Sequence, residues 1–309
     1  MTSALHFAKN GALIAPRNDL KALVVTGPDR IAWLMGMLTC DLAPVEQNRA
    51  VYGLVLDKQG KVLADLIALQ HDERLLLVVD REDATGIQEH LDHFLIMEDA
   101  EIEVLASPHS FVLAVGPRAA EVGTAAPSVA RVLAARSGHL HGSDAVIILV
   151  DGEKPEPVAE ALAAQDDGFG ATSNDQFDAL RIELGLPKFG VDFGPTSYPM
   201  EAGLDEHAIS FSKGCYVGQE VVVKLRSRGK PVRVLRRIVL APDAAPPPVG
   251  AVVSLTSGKE AGKVTSVGKS ETGEPVAYAL LRRADVESVE HVVVEGGAAR
   301  LAPVWGLLG

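Results

Sequence analysis

The sequence predicts an α+β chain with a small β-barrel at its C-terminal end. Three observations predict it. Extended apolar runs come as hairpin pairs, as residues 52–56 and 62–69 do around Asp57-Lys58-Gln59-Gly60, rather than in strict alternation with helices. Helical stripes are few; the clearest is Ile31, Leu34, Met35 and Leu38 at i, i+3, i+4 and i+7. Beyond a proline-rich run, short strand candidates succeed one another across glycine-rich turns.

The elements follow in order. Residues 20–25 read as a strand that Gly27-Pro28-Asp29 breaks, and Asp29 stands where it can cap the Ile31 helix. The 52–69 hairpin comes next, then a strand at 75–79 and a helical face of Ile87, Leu91, Phe94 and Leu95. Strands of buried type are expected at 111–115 and 146–150, and a helix at 156–164. Another helix, 175–184, opens at Ser173 or Asn174 and stops at Gly185 before Pro187. Residues 191–210 read as irregular, Gln219 can open a helix, and 234–240 returns to strand. Ala241-Pro242-Asp243-Ala244-Ala245-Pro246-Pro247-Pro248 cannot enter a sheet or helix interior. It is read as the boundary between a 1–240 region and a 241–309 barrel domain, with strands at 251–255, 263–267, 276–281 and 291–295.

Composition narrows the function classes. Of 309 residues, 47% are hydrophobic, enough for a core, and with 5% aromatics that core must be aliphatic. A net charge of −12 argues against nucleic acid as a partner. Two cysteines, Cys40 and Cys215, make no disulfide framework and fit a reducing compartment. The first residues lack a secretory pattern, and the aliphatic runs are too short to cross a bilayer, so a cytoplasmic protein without membrane partners is expected. His90 and His93, flanked by Glu89 and Asp92, read as a solvated helix face, and no metal site is assigned. Gly268-Lys269-Ser270 lacks the upstream glycine of a phosphate loop, since position 263 is Lys263.

The segment that carries chemistry is Lys213-Gly214-Cys215-Tyr216-Val217-Gly218-Gln219-Glu220. Glycines on both sides of Cys215 let the backbone turn tightly and approach a ligand. A thiol ahead of a helix N-terminus and two residues from Lys213 is favoured as thiolate. Cys40 instead follows an apolar helix and reads as a packed thiol. From Lys213 to Arg237, eight cations stand against Glu220 alone, a local charge of +7 that suggests an anion site.

The octapeptide resembles the K-G-C-Y-x-G-Q-E motif of the YgfZ family, folate-binding proteins tied to iron–sulfur cluster assembly and related to the glycine cleavage T-protein, an aminomethyltransferase. Pro199-Met200-Glu201-Ala202-Gly203-Leu204-Asp205, Arg228-Gly229 and Leu180-Arg181-Ile182-Glu183-Leu184-Gly185 resemble neighbouring family segments, and 56–66, with Gly60 and Asp65, resembles the superfamily hairpin. Residues 119–140 match nothing in that pattern, and Lys224 stands where the family has arginine, keeping charge without the bidentate fork.

The resemblance implies a T-protein-like fold of mixed sheets and helices around a central cavity that takes tetrahydrofolate or a one-carbon derivative. It implies that Glu183 accepts hydrogen bonds from the pterin edge and that Asp65 stands near the reactive folate nitrogens. Lys213, Tyr216, Gln219, Arg226 and Arg228 are the further cofactor-binding candidates, with Arg233 also a candidate for the anionic tail. Cys215 and Asp65 are the candidates for chemistry. The implied partners are folate and iron–sulfur assembly proteins or client enzymes. The alternative is a folate-dependent aminomethyl or one-carbon transferase.

Overall fold

The computed structural model describes residues 3–106, 108–270 and 273–304; the side chain of Arg228 is also outside the described set. The chain forms two units, Met1–Asn174 with His207–Gln219, and Asp175–Glu206 with Glu220–Gly309.

The first unit runs through α1 (Ala4–Asn10), β1 (Ala12–Arg17), β2 (Leu20–Thr26), α2 (Arg30–Met37), β3 (Val51–Leu56), β4 (Val62–His71), β5 (Arg74–Asp80), α3 (Ala84–Asp92), β6 (Glu101–Val104), β7 (His109–Val115), α4 (Ala119–Ala125), β8 (Val132–Leu140), β9 (Ser143–Asp151), α5 (Pro155–Ala163) and β10 (Phe169–Ala171). These strands build two five-stranded sheets, ordered β3-β4-β5-β2-β6 and β10-β1-β7-β9-β8. All pairings are antiparallel except β1 with β10. Pro16 is tolerated in β1 because β10 pairs only as far as Ile14, leaving no ladder bond on that side for the missing N–H.

Burial explains the strand pattern. β2 and β5 are apolar on both faces because both faces are covered, whereas β4 alternates buried and half-buried residues. Trp33, Leu34 and Met37 of α2 and Ile87 and Leu91 of α3 pack on Val55, Ala64, Leu66 and Leu77. Each fully buried aliphatic side chain there is worth roughly 1.5–3 kcal/mol. Phe94 and Leu95 lie beyond the end of α3 yet still pack on this core. Asp29 stands at the N-cap of α2 but makes no capping bond; its Oδ2 accepts the amide of Asp99 at 2.9 Å instead.

In the second unit, α6 (Asn174–Leu180) ends short of the predicted 184. Residues 181–184 turn tightly, with Glu183 and Leu184 amides both bonded to the Leu180 carbonyl, and Gly185 takes the expected left-handed φ of 72°. After α7 (Gln219–Arg228) come β11 (Arg233–Leu240), β12 (Val252–Leu255), β13 (Glu260–Lys269), β14 (Pro275–Arg282), α8 (Arg283–Val286), β15 (His291–Val294) and β16 (Gly297–Ala302). Six strands close a barrel in the order β11-β14-β13-β12-β15-β16, with β16 returning to β11. The barrel therefore takes its first strand from before residue 241. The 241–248 proline run is the β11–β12 connection inside the barrel, where absent N–H groups cost no ladder bonds. No helix among the described residues is long and apolar enough to cross a membrane.

Candidate functional site

The 213–219 segment belongs to the first unit and is clamped at several points. Thr39 ties its approach: Thr39 Oγ1 donates to the Ala208 carbonyl at 2.6 Å and accepts the Leu54 amide at 2.9 Å, while the Ser210 amide reaches the Thr39 carbonyl at 2.9 Å. Lys213 Nζ donates to the carbonyls of Met35 and Leu38, each at 2.6 Å, and so caps the C-terminus of α2. The same ammonium lies 5.0 Å from the centre of the Tyr216 ring. The Val217 amide bonds the Gly36 carbonyl at 3.1 Å. Gly218, at φ 82°, passes so close to the β3–β4 turn that a Cβ there would stand 2.6 Å from the Asp57 carbonyl oxygen. Both glycine requirements of this contact are met, since Gly60 in the turn also has φ 75°.

Within this frame Cys215 is exposed and Tyr216 is buried. Tyr216 Oη has no hydrogen-bond partner among the described residues, and burial pushes its hydroxyl up to about 12. Lys213 does not stand free beside Cys215 as expected, because two backbone carbonyls hold its ammonium. Burial lowers the Lys213 ammonium from its ordinary value, and desolvation pushes the nearby buried Cys40 thiol up to about 12. Cys40 is packed against the bare backbone of Gly53, as its apolar setting predicted.

The hairpin also presents Asp65 on the face opposite the α2–α3 core. Register puts Leu54 directly across from Asp65 and Ile67 across from Tyr52, so Tyr52 and Asp65 are diagonal neighbours on one face. Tyr52 donates its hydroxyl to Asp65 Oδ2 at 2.9 Å. Burial pushes the Asp65 carboxyl up to about 6, with the Tyr52 bond the strongest opposing influence. The Tyr52 ring is held from beyond by His141, with centroids 4.4 Å apart. His141 and Gly142, at φ 50° and 86°, form the two-residue turn between β8 and β9, the hairpin type whose twist matches its strands.

In the second unit Glu183 is buried, and its Oε1 meets Arg237 Nη1 at 3.0 Å. Its partner is neither Arg181 nor Lys188. Arg181 is occupied by Asp178, Asp192, Ser266 and the Leu186 carbonyl, and Asp192 also takes Thr265 and the Lys188 amide. The +7 run is largely consumed in the same way. Arg233 grips buried Glu201 with two nitrogens at 2.8 and 3.1 Å, Lys224 pairs with Glu220 and Lys230 with Glu287. Gln219 is half-buried with its amide on the Tyr216 carbonyl at 3.2 Å, Arg226 is exposed on α7, and the Arg228 side chain lies outside the described residues.

A family model described as the GCVT N-terminal domain matches residues 6–213. The chain belongs to the GCVT family. It is similar to the mouse protein "Iron-sulfur cluster assembly factor IBA57, mitochondrial", with 29% identity over 306 residues, covering 89% of this chain and 79% of that one. It is also similar to the "tRNA-modifying protein YgfZ" of Yersinia enterocolitica, with 26% identity over 249 residues, covering 74% of this chain and 71% of that one. An aminomethyltransferase of Shouchella clausii is 26% identical over 307 residues, 92% of this chain and 82% of that enzyme. The glycine cleavage aminomethyltransferase T of Bartonella henselae has the same fold, with a TM-score of 0.76 at 23% identity, over 99% of this chain and 88% of that one. The chain is thus a YgfZ- and IBA57-like member of the GCVT, or T-protein, family.

The GCVT match ends at Lys213, the first residue of the motif, so the thiol and the barrel lie beyond it. Tyr52 and Thr39 were not singled out from the sequence. The register of the 52–69 hairpin was the available signal for Tyr52; nothing local marked Thr39.

Proposed function

We propose that the chain binds tetrahydrofolate or a one-carbon derivative and serves the assembly or repair of iron–sulfur clusters, with Cys215 as its working thiol. The observation that carries the reading is the seating of the 213–219 segment on the hairpin that bears Asp65, through Gly218 against Asp57. It fixes an exposed thiol and a half-buried carboxyl on one supporting element.

The donor set suits folate. The pterin edge is rich in N–H donors, and Glu183 and Asp65 are carboxyl acceptors held in low-dielectric settings. Tyr52 orients Asp65 by donating to its Oδ2. Arg226, exposed, suits the anionic tail, and Arg228 is retained for that role from the family pattern; Gln219 and Tyr216 supply amide and hydroxyl groups. Lys213 would serve by fixing the segment rather than by direct contact, since both its strong bonds go to α2. Bound folate would supply a one-carbon carrier. Cys215 offers a soft ligand for iron in transit, and a single thiolate requires partner thiols to hold a cluster. The iron–sulfur link comes from the IBA57 relative, and the YgfZ relatives' tRNA-modifying name fits a supply role upstream of an RNA enzyme better than direct RNA binding at net charge −12. A cytoplasmic site and iron–sulfur partners belong to the same proposal. The test is Cys215→Ser in a deletion strain: activity of cluster-dependent enzymes should not recover, and full rescue would sink the thiol's role.

A second reading, an aminomethyl or one-carbon transferase, is favoured by Asp65, whose carboxyl near 6 can exchange a proton at neutral pH. An assay for methylene-tetrahydrofolate formed from an aminomethyl donor separates the two. Ligand-dependent thermal stabilisation without turnover supports the first.

A further inference from the structure

The α3 helix and the loop after it carry a surface that the folate reading does not use. The turn splits its apolar residues. Phe94 and Leu95 pack inward on the core, while Ile96 and Met97 are 83% and 92% exposed. Among the described residues they are the most exposed large hydrophobic side chains and the only adjacent pair. Such a pair is costly to display unless something covers it. The display is built into the loop: Glu98 Oε2 accepts the amides of both Ile96 and Met97, at 3.2 and 3.1 Å. Asp99 is tied to Asp29 by reciprocal bonds, and Gly27 at φ 92° leaves no room for a side chain against the Asp99 carbonyl.

The same helix walls a cleft of about 330 Å³. Its apolar part is Val55, Leu63 and Ile87, and its polar part is Glu82, Asp83 and His90. His90 Nε2 has no hydrogen-bond partner among the described residues. An apolar wall ending in two carboxylates matches a lysine or arginine side chain, whose methylene stem packs and whose head pairs. Across residues 80–103, nine carboxylates are set against Arg81 alone.

We infer that this face docks a partner protein through a basic segment that also buries Ile96 and Met97. Charge decides between occupants. A second copy meeting on the same face would oppose two acidic surfaces, and an anionic membrane would be repelled by them. A cationic, partly apolar protein segment satisfies both the cleft and the tip. The inference does not depend on folate binding, because none of its residues is among the folate or thiol candidates.

The probe is a fluorescein-labelled peptide of alternating lysine and leucine, with a glutamate–leucine twin as control, titrated by anisotropy with the full chain at physiological salt. The lysine peptide should saturate and its twin should not. Ile96→Ser/Met97→Ser and, separately, Glu82→Gln/Asp83→Gln should each weaken binding about tenfold or more. These side chains lie at or near the surface, so unchanged circular dichroism and melting verify folding. Unaltered binding by either double variant overturns the inference. So does concentration-dependent self-association, or binding to phosphatidylglycerol vesicles, that Ile96→Ser/Met97→Ser abolishes.

Discussion

Tyr52 and Asp65 meet across two neighbouring strands, hydroxyl to Oδ2 at 2.9 Å, on the face of the sheet turned away from its helices. The bond holds a carboxyl that burial would otherwise push still higher than about 6.

That carboxyl makes stability depend on pH. Its value is raised from 3.8 unfolded to about 6 folded, so between those values the folded chain holds a proton that the unfolded chain has released. The contribution is full below about pH 4, falls as pH rises through 6, and is flat above. At about 1.4 kcal/mol per unit, its ceiling is ~3 kcal/mol. In urea unfolding from pH 4 to 7, Asp65→Asn should lack this slope. A pH-independent difference between the two proteins contradicts it.

Tyr52→Phe removes the main influence that favours the charged form. The Asp65 midpoint, followed by carboxyl NMR, should move above 6, at a stability cost of about 1 kcal/mol. An unmoved midpoint would show that the bond does not act on the carboxyl.

Lys213→Met should destabilise the first unit by about 1.5–3 kcal/mol in denaturant unfolding, because two carbonyls at the end of α2 lose a charged donor. A change within ~0.5 kcal/mol would mean that the cap is idle.

Gly218→Ala and Gly214→Ala should separate. The first puts a methyl 2.6 Å from the Asp57 carbonyl at φ 82°, while a Cβ at Gly214 meets nothing within 4 Å. Gly218→Ala should cost roughly 1–3 kcal/mol and Gly214→Ala much less, measured by thermal melting. Equal costs would contradict the close seating of the segment on the hairpin.

Glu183→Ala should cost about 3–5 kcal/mol, because it leaves Arg237 buried without its counter-charge. Adding Arg237→Met should recover much of the loss. A double variant as unstable as the single one would argue against the ion pair as the cause.

The hairpin and the barrel were legible because their strands are short apolar runs bounded by glycine-containing turns. β16 was missed because Gly297-Ala298-Ala299-Arg300 has little strand propensity; its place is set by pairing with β11 and β15. The α6 helix was read too long because the 181–184 stretch looks helical in sequence, yet Arg181 is drawn into the Asp192 and Ser266 network. The motif announced the family, but its charges misled. Lys213, Arg233 and Arg237 read as free cations, and their partners at Leu38, Glu201 and Glu183 lie far away along the chain. Local spacing carries no record of such pairings. Asp65 was named through resemblance alone, while the groups that tune it, Tyr52 and the β8–β9 turn behind it, emerge only from register and packing.

The most direct test of the folate claim is isothermal titration calorimetry of the full chain with tetrahydrofolate, run beside Asp65→Asn. The wild type should give saturable one-site heat, and the variant should bind about tenfold or more weakly, about 1.4 kcal/mol. Folded wild-type protein that gives no saturable heat would contradict it.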